Sequence, residues 1–364
     1  MKRSSACKAL VWVRYLLVAF NILFVAVMLF VGYSGYINPA SHPLISTVGL
    51  IFPFTIIPVV LFLVLWLFLK PRYMLLSFVG LLLAYSPIRS YGPINYRSEA
   101  PDDALKIVSY NVMMFGRAEN YAAPSNSILQ YLRSVDADIV CLQEAESAPV
   151  VNTMFTGEMS AMGYRSAEAG TEYGNMLVVY SKFPILSFEP IVFKSSSNLA
   201  AAARLLIDGD TVLVINAHFE SNKLTEEDKE KFQHIIKRDK DNQYIERESR
   251  SLLEKLAEAN QQRAPQVDKV AHYIDTAKVD HVIVCGDFND HPNSYTLRTL
   301  RQRLTDCYVE TGIGPGFTYL QSGINVRIDH ILCSKSIEPY QVKIDNHFKF
   351  SDHQPIRCKL VLKK

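Results

Sequence analysis

The pattern of hydrophobic and polar positions divides the chain into two unlike parts. Before residue 90 the apolar positions are continuous, with no charged residue in 15–37 or 44–69 and a shorter uncharged run at 73–88. From residue 105 the apolar residues form short β-branched runs, separated by polar and helix-like stretches. Runs of about 20 apolar residues are typical of membrane-spanning helices, and alternating strands and helices are typical of an α/β domain. The pattern therefore predicts a membrane anchor followed by a soluble α/β domain.

Two or three helices are predicted to cross the membrane. The runs at 15–37 and 44–69 are long enough, and the first is too long for a cleaved signal peptide and is followed at once by another. Pro53 and Pro58 kink a membrane helix without preventing it. The run at 73–88 has 16 residues, so its helix would reach about 24 Å against a hydrocarbon core of about 30 Å. We expect it to cross, with an interfacial helix as the alternative.

The basic residues predict the orientation of this anchor. Lys2, Arg3, Lys8 and Arg14 precede the first run, none lies in the loop at 38–43, and Lys70 and Arg72 follow the second run. Because basic residues stay on the cytoplasmic side, the N-terminus and the second loop are expected in the cytoplasm. The soluble domain then lies outside the cytoplasm if the third run crosses, and inside it if the third run stays in the interface.

A polar linker at 91–103 is expected to join the anchor, residues 1–90, to a domain at 104–364. Strands are predicted at 106–112, 137–144, 175–181, 203–208, 211–218, 282–285 and 327–332, with a turn at 351–356 before the last strand. The sequence Asp208-Gly209-Asp210 signals a hairpin. Helices are predicted at 127–135 and over most of 220–275. Within the latter, a stripe is expected to pack against a sheet, formed by Leu252, Leu253, Leu256, Val267, Val270 and Ile274.

Composition separates the same two parts. Residues 1–100 carry eight Lys or Arg and one Glu, whereas residues 101–364 carry 30 Lys or Arg and 35 Asp or Glu, a net charge of −5. Non-specific nucleic-acid binding normally uses a broad basic surface, and the domain has no such excess of basic residues. Cys141, Cys285, Cys333 and Cys358 lie in apolar strand-like runs without disulfide spacing, so we expect them to be small buried hydrophobic residues.

The stretch 282–290 carries the clearest chemistry. An apolar run too short for a helix ends at Gly286, and Asp287 and Asn289 follow on the same side of the chain. Open α/β sheets place functional groups at the carboxyl ends of their strands. A carboxylate and an amide at such an end suit a hard divalent cation and a phosphate oxygen, although a capping turn gives a similar local sequence.

Other apolar runs end in polar residues in the same way. Together with Asp287 and Asn289, this set comprises Asn111, Glu144, His218, Asp329, Asp352 and His353. Carboxylates and amides without a Cys or His cluster favour Mg²⁺ over zinc, and an Asp beside a His supplies proton transfer near neutral pH. Each residue alone has a structural explanation, as a cap or a satisfied edge histidine. The whole set predicts hydrolysis of a phosphate ester.

The order of these motifs resembles the endonuclease/exonuclease/phosphatase superfamily. The motifs are SYNV (109–112), QE (143–144), NAHF (216–219), GDFND (286–290), RIDHI (327–331) and SDHQPI (351–356), and the resemblance covers about residues 104–362. The superfamily includes deoxyribonuclease-like nucleases, abasic-site endonucleases, sphingomyelinases and inositol polyphosphate phosphatases. The resemblance implies a four-layer α/β sandwich of two mixed β-sheets flanked by helices, with one or two Mg²⁺ or Mn²⁺ ions.

The resemblance also implies roles for the residues near the cation. Glu144 is implied as the principal metal ligand and Asn111 as its helper. Asp352 is implied as a second carboxylate on the metal side. Asp287 and Asn289 are implied to orient the attacking water and the phosphate.

The remaining candidates concern proton transfer and the substrate. Asp329 and His353 are implied to form an Asp–His pair. His218 occupies the position that is His in the deoxyribonuclease-like and sphingomyelinase branches, which argues against an abasic-site repair enzyme. Asn175 and Arg204 are candidates for binding the substrate phosphate, with a structural hydrogen bond as the alternative for each.

Three function classes follow. The site favours a membrane-anchored, metal-dependent phosphodiesterase or nuclease. The anchor and the acidic domain favour the alternative, a lipid-headgroup phosphohydrolase of the sphingomyelinase or inositol-phosphate type. A scaffold without chemistry is disfavoured because no motif position is vacant. The expected partners are a phosphate ester and the lipid bilayer, and nothing points to a partner protein. Residues 223–258 form a long charged insertion relative to the superfamily, and its acidic and basic residues nearly balance.

Overall fold

The computed structural model describes residues 2–96, 98–117, 126–145, 149–171, 175–194, 198–321, 323–346 and 350–363. Its helices are α1 (Lys2–Gly32), α2 (Pro43–Ser46), α3 (Phe52–Leu69), α4 (Met74–Leu83), α5 (Tyr85–Tyr91), α6 (Met113–Arg117), α7 (Ser127–Val135), α8 (Pro149–Ala161), α9 (Glu226–Lys237), α10 (Asn242–Thr276), α11 (Tyr295–Arg301) and α12 (Cys307–Thr311). Arg97 of the expected linker and the side chains of Lys2, Arg3 and Lys8 lie outside the described part of the chain.

The strands after residue 104 form two six-stranded mixed sheets and a small hairpin. They are β1 (Leu105–Asn111), β2 (Ile139–Gln143), β3 (Arg165–Gly170), β4 (Met176–Ser181), β5 (Ile185–Val192), β6 (Leu199–Ile207), β7 (Asp210–His218), β8 (His281–Asp287), β9 (Thr305–Asp306), β10 (Tyr319–Gln321), β11 (Ile324–Val326), β12 (Asp329–Cys333), β13 (Ile337–Ile344) and β14 (Ile356–Leu362). The first sheet has the order β13-β14-β1-β2-β4-β3, and the second β5-β6-β7-β8-β12-β9. The pairs β1–β2 and β7–β8 are parallel, and the others are antiparallel.

The two sheets pack face to face, with helices on both outer faces. One buried cluster lies between the sheets and includes Ile107, Val214 and Ile283. A second joins the first sheet to α7 and α8, and a third joins the second sheet to α10 and α11. Because helices cover both outer faces, central strands such as β2 and β8 are buried on both sides, whereas the edge strands β3 and β5 keep exposed residues. This arrangement confirms the expected four-layer α/β sandwich of two mixed sheets flanked by helices.

Local sequence explains several of these elements. The hairpin between β6 and β7 turns at Asp208 and Gly209, which both have positive φ (51° and 94°), as a tight two-residue turn requires. Helix α7 has the predicted bounds, with the Asn126 side chain accepting from the N–H groups of Ile128 and Leu129 at its start. The prediction that the stripe along 252–274 packs against a sheet is partly wrong. Leu253, a member of the stripe, is 47% exposed.

Three apolar helical segments precede the sandwich. Ala9–Gly32 and Pro43–Leu69 are each long and apolar enough to cross a membrane. Pro71–Leu83 and Tyr85–Tyr91 are bent by 59° and add a third crossing if the bent pair is one span. The first helix stops before the predicted residue 37, because a 3₁₀ turn follows at Ser34–Tyr36. The three segments share a buried cluster that includes Met28, Phe52, Val59 and Ala84.

The bend in the third segment has a local cause. Pro87 has no N–H, so it cannot bond to the carbonyl oxygen of Leu83 one turn earlier. That oxygen instead accepts a hydrogen bond of 2.6 Å from the hydroxyl of Tyr33, at the end of α1. The bend is therefore stabilised by the neighbouring helix.

The sandwich rests directly on one end of these helices. Residues 34–51, which join α1 to α3, contact α10, where Asn260 donates to Oγ of Ser46 (3.3 Å). The end of α5 contacts the other side of the same surface, where the buried Arg327 donates to the carbonyl oxygens of Ser90 and Tyr91. We call this contact of residues 34–51 and 85–95 with the sandwich the anchor–domain interface. A cation at the carbonyl end of α5 is also favoured by the helix dipole.

Candidate active site at the strand ends

Five strands bring polar side chains to one edge of the sandwich. In the parallel pairs, β1 and β2 end together at Asn111 and Gln143, and β7 and β8 end together at His218 and Asp287. Strand β12 runs the opposite way and begins at Asp329, which is paired with Asp287. Since the two sheets pack face to face, both sets of strand ends meet at the same edge.

Asp329 and His353 form a buried hydrogen-bonded pair. Oδ2 of Asp329 lies 2.9 Å from Nδ1 of His353, and both residues are at most 5% exposed. Burial alone would lower the pKa of His353, but the carboxylates of Asp329 and Asp287 outweigh it and raise the pKa to about 10. The bond fixes the ring so that Nε2 points towards Asp287, whose Oδ2 lies 3.7 Å away.

Asp287 is the centre of the cluster. Its Oδ2 atom lies 3.5 Å from Nε2 of His218 and accepts a hydrogen bond from Nδ2 of Asn111 (3.0 Å). Its Oδ1 atom accepts from the backbone N–H of Asn289 (2.9 Å). Asn289 has a positive φ of 52°, which folds the chain back after the strand. Two imidazole nitrogens therefore converge on one buried carboxylate.

Glu144 stands at the solvent side of this cluster. Its Oε1 atom accepts a hydrogen bond from Nδ2 of Asn111 (3.0 Å) and lies 3.8 Å from Nε2 of His218. The side chain of Glu144 is 35% exposed, whereas that of Asp287 is 1% exposed. Asn111 thus links an exposed carboxylate to a buried one.

Asp352 is beside the cluster rather than within it. It is half-buried, and its only hydrogen bond among the described residues is a long one of 3.5 Å from Oγ of Ser351. The same hydroxyl donates to the carbonyl oxygen of Asn111 (2.8 Å) and accepts from the backbone N–H of His353 (3.1 Å). Ser351 therefore ties the loop before β14 to the end of β1.

The donor set fits a hard divalent cation. Among the described residues, no Lys or Arg pairs with Glu144, Asp287 or Asp329. Asp287 and Asp329 are buried, and two buried carboxylates are costly unless nearby positive charge compensates them. Nε2 of His218 and Oδ1 of Asp329 are buried without a hydrogen-bond partner in the described residues. Oxygen donors that reach solvent through Glu144 also suit Mg²⁺, which keeps several of its waters.

A second possible ligand set shares Asp287. Ligand atoms of Asp287, Asp329 and His353 lie within 4.8 Å of one another. However, Nδ1 of His353 is already bonded to Asp329, and neither residue is open to solvent. The geometry therefore favours a cation on the Glu144 side of Asp287.

Asn175 and Arg204, the candidates for binding the substrate phosphate, lie in different places. Asn175 places its side-chain amide 3.0–3.3 Å from Nδ1 of His218, so it holds that ring. Arg204 does not reach the site, which corrects the expectation for this residue. It is paired with Leu213, five positions along β7 from His218, and binds Glu189 on the neighbouring strand (3.3 Å).

Two further groups of residues support the site and were not predicted from the sequence. Gln143 and Asn216 bond to each other beneath the site (2.7 Å) and link the two sheets. Tyr319, on the β10–β11 hairpin, places its ring 5.3 Å from that of His353, centroid to centroid. The QE and NAHF motifs contain the first two residues, but nothing in the sequence shows that they meet.

Comparison with known proteins identifies a family for the sandwich part of the chain. A model of the Endonuclease/Exonuclease/phosphatase family matches residues 108–353. A second model, described as a domain of unknown function, matches residues 14–91. No curated protein matches the chain.

Solved structures share the fold. An endonuclease/exonuclease/phosphatase from Bacteroides vulgatus aligns with a TM-score of 0.52 at 14% identity, over 72% of this chain and 100% of its own. D. rerio TDP2, complexed with single strand DNA product, aligns with a TM-score of 0.51 at 18% identity, over 71% and 100%. ANGEL2, a 2',3'-cyclic phosphatase, aligns with a TM-score of 0.51 at 16% identity, over 73% and 98%.

At these identities the structural likeness shows the fold alone. The family model, by contrast, spans more than half of the chain and includes every motif from Asn111 to His353. It confirms the resemblance drawn from the motif order. The chain belongs to the endonuclease/exonuclease/phosphatase family.

Proposed function

We propose that this protein is a membrane-anchored, divalent-metal-dependent hydrolase of phosphate esters, and that it acts as a phosphodiesterase or nuclease. The observation that carries the proposal is the convergence of Nε2 of His218 and Nε2 of His353 on Oδ2 of Asp287, at 3.5 and 3.7 Å. Glu144 and Asn111 adjoin the same point. Hydrolysis of a phosphate ester requires neutralisation of the phosphate charge, activation of a water and stabilisation of the leaving oxygen. This cluster has groups for each of these tasks.

The metal site of this proposal consists of the carboxylates of Glu144 and Asp287, with Asp352 close by. Asn111 supports them, and its ligand atom would be Oδ1, which here accepts from the backbone N–H of Met113 (3.1 Å). A bound Mg²⁺ or Mn²⁺ would neutralise charge on the phosphoryl oxygens and lower the pKa of a bound water. Asn111 fixes the carboxylates of Glu144 and Asp287 relative to each other, because its Nδ2 atom donates to both at 3.0 Å. Asn289 is held by the backbone carbonyl of Phe219 (3.1 Å) and contributes an amide for the phosphate.

The histidines carry the proton chemistry in this proposal. Asp329 accepts from Nδ1 of His353 and stabilises its imidazolium form, so a proton is held at Nε2, the atom facing the cluster. Asn175 fixes the ring of His218, which turns its Nε2 towards the two carboxylates. The two rings thus present their Nε2 atoms to one phosphate, His218 from the end of β7 and His353 from the loop before β14.

A second candidate function is hydrolysis of a lipid headgroup phosphate. It is favoured by the anchor–domain interface, where His291, two residues beyond Asn289, stacks on Tyr91 at the end of α5 (6.2 Å between centroids). The candidate site is therefore close to the apolar helices. The acidic net charge of the domain points the same way, since it offers no broad basic surface to a polyanion.

We further propose that the anchor comprises residues 1–90, with crossings near 15–37, 44–69 and 73–88, followed by a linker at 91–103 and the domain at 104–364. Residues 34–51 and the end of α5 both touch the sandwich, which supports an odd number of crossings before it. With basic residues at the N-terminus and at Lys70 and Arg72 kept inside, the sandwich lies outside the cytoplasm.

The test is a direct assay of the full-length protein in nanodiscs. Plasmid DNA, sphingomyelin and inositol phosphates are offered side by side with Mg²⁺, with Mn²⁺ or with excess EDTA. We expect hydrolysis of at least one substrate, abolished by EDTA and restored by the added ion. Hydrolysis that persists in EDTA, or no hydrolysis of any substrate by folded protein, would contradict the proposal.

A further inference from the structure

An apolar pocket of about 110 Å³ lies between the candidate site and the anchor. One wall is the loop between the first two apolar helices, which contributes Thr47 and Leu50. The opposite wall is the loop after β8, which contributes Asn289, Asp290 and His291. The pocket thus adjoins the anchor–domain interface on one side and the loop that follows Asp287 on the other.

The charged insertion builds a third wall of the pocket. Leu224 and Phe232 come from the segment of α9, and Leu252 and Leu256 from α10. This assigns a structural use to residues 223–258, which the family core does not require.

Most polar residues on the wall have hydrogen-bond partners, and the exception among the described atoms is the buried Nε2 of His291. Arg263 is 1% exposed and donates to the Oδ1 atoms of Asn260 and Asn222 (2.7 and 2.8 Å). Asp228 is bound by Nζ of Lys255. What faces the open space is therefore mainly hydrocarbon. An apolar cavity of comparable size, about 150 Å³, stays dry and binds small apolar molecules.

The pocket and the candidate site are close neighbours. Val326 lines the pocket and is the register partner of Tyr319, whose ring contacts His353. Paired residues on antiparallel strands are about 4.5–5.5 Å apart. Asn289 lines the pocket and lies two residues after Asp287. A molecule with a phosphate at the cluster and a short linker to an apolar group can reach both.

We propose that the pocket takes the hydrocarbon chain of a membrane-resident phosphate ester, so that the substrate is an amphiphile drawn from the leaflet beside the domain. The inference rests on the proposed phosphoesterase activity and names its substrate class. The occupant follows from position, because Leu50 lies in the 3₁₀ turn Thr47–Ile51 at the start of the second apolar segment and is itself 38% exposed. Leu44 and Ile45 of the adjoining helix α2 are 55% and 42% exposed, which places further apolar surface beside the pocket.

The activity test uses alkyl p-nitrophenyl phosphate diesters with methyl, butyl and octyl chains, on full-length protein in nanodiscs with Mg²⁺. All three share one scissile bond and one leaving group, so differences report the chain. We expect kcat/KM to rise by about three- to four-fold for each methylene buried, until the pocket is full. A flat series with measurable turnover of the methyl ester would overturn the pocket and leave the proposed activity standing.

Two variants and a matched control locate the effect. Leu256→Trp fills the pocket and is expected to flatten the ratio of octyl to methyl kcat/KM. Phe232→Ala enlarges the pocket and is expected to shift the optimum to longer chains, which keeps the test decisive if the first variant fails to fold. Leu253→Trp adds the same ring at the exposed neighbouring position and should reproduce the wild-type ratio. An equal loss in Leu253→Trp would overturn the assignment.

A binding measurement separates failure of the pocket from failure of the proposed activity. In EDTA, octyl phosphate is expected to raise the melting temperature of the wild type and of Leu253→Trp more than inorganic phosphate does, and to lose this advantage in Leu256→Trp. Equal shifts with both ligands would refute the pocket. A selective shift together with no metal-dependent hydrolysis would retain the pocket and refute the activity.

Discussion

Asp287 and Asp329 are paired residues on the neighbouring strands β8 and β12, so two buried carboxylates lie side by side in the candidate site. Each is at most 1% exposed, and each meets an imidazole: Nε2 of His218 and His353 for Asp287, and Nδ1 of His353 for Asp329. Two such carboxylates repel one another unless positive charge lies nearby. The pairing therefore explains why the site needs both a protonated histidine and, in our proposal, a cation.

We predict that His353→Ala lowers turnover by about 10²–10⁴-fold, the usual loss for a positioned acid–base group. Asp329→Asn should reproduce much of the loss, because an amide neither orients the ring nor stabilises its charge in the same way. His234→Ala, at a half-exposed histidine of α9, is the control. Steady-state kinetics and melting curves on the same samples test this. Normal turnover in a less stable His353→Ala would show that the pair is only structural.

We predict that Glu144→Gln reduces metal affinity and rate together. The substitution keeps the shape of the side chain and its contact with Asn111 but removes the charge that a hard cation requires. Turnover is measured across a Mg²⁺ titration, with Glu168→Gln on β3 as the exposed control. Wild-type turnover of Glu144→Gln at limiting Mg²⁺ would refute the assignment.

A third prediction concerns stability against pH. Burial would raise the pKa of Asp306, but Arg301, His330 and Arg327 lower it to about 2. Because the folded-state pKa lies below the unfolded value of about 3.9, the carboxylate contributes about 2 kcal/mol above pH 4, and this is lost as the pH falls towards 2. Asp306→Asn keeps a capping oxygen for α12 but loses the charge.

The measurement is the melting temperature of full-length protein from pH 7 to pH 3. The deficit of Asp306→Asn relative to wild type should be constant above about pH 5 and should shrink below pH 4. Asp102→Asn, at an exposed position, should show no deficit at any pH. A deficit in Asp306→Asn that is independent of pH would show that the charge is not responsible.

We predict that the fragment 101–364 folds without its anchor. The strands of both sheets lie within it, and structural neighbours are matched over 98–100% of their length by the corresponding part of this chain. The fragment should melt cooperatively by circular dichroism. Its melting temperature should be several degrees lower than that of the full chain, since Arg327 loses the carbonyl oxygens of Ser90 and Tyr91. Recovery only as aggregate would argue against the boundary.

Much of the fold follows from local sequence. The bounds of α7, the turn at Asp208 and Gly209, and the strand ends that carry Asn111, His218 and Asp287 are set by short-range pattern. The edge strands β3 and β5 escape prediction because they alternate with exposed residues and lack a continuous apolar run. Their identity depends on the neighbours they pair with.

The candidate site, like the edge strands, depends on contacts between distant parts of the chain. A strand end predicts that a polar side chain reaches an edge, which is why most of the set meets. The sequence pattern does not predict which strand lies beside a given strand end. The expectation for Arg204 is wrong for this reason, because its neighbour on β5 is Glu189, which binds it. The anchor–domain interface is equally non-local, since Arg327 and Ser90 are brought together only by the packing of the two parts.

The last prediction concerns topology, on which the supply of a membrane-resident substrate depends. Residues 34–51 and the end of α5 contact the same sandwich, so the bent pair of α4 and α5 has to return the chain to the side of the first loop. A single Cys at Ser98, in a background without native thiols, should react with a membrane-impermeant reagent in intact spheroplasts of a bacterial host. Arg72→Cys, at the opposite end of the bent pair, should react only after lysis. The reverse pattern would place the domain in the cytoplasm, and labelling of both positions before lysis would mean that the bent pair lies along the interface without crossing.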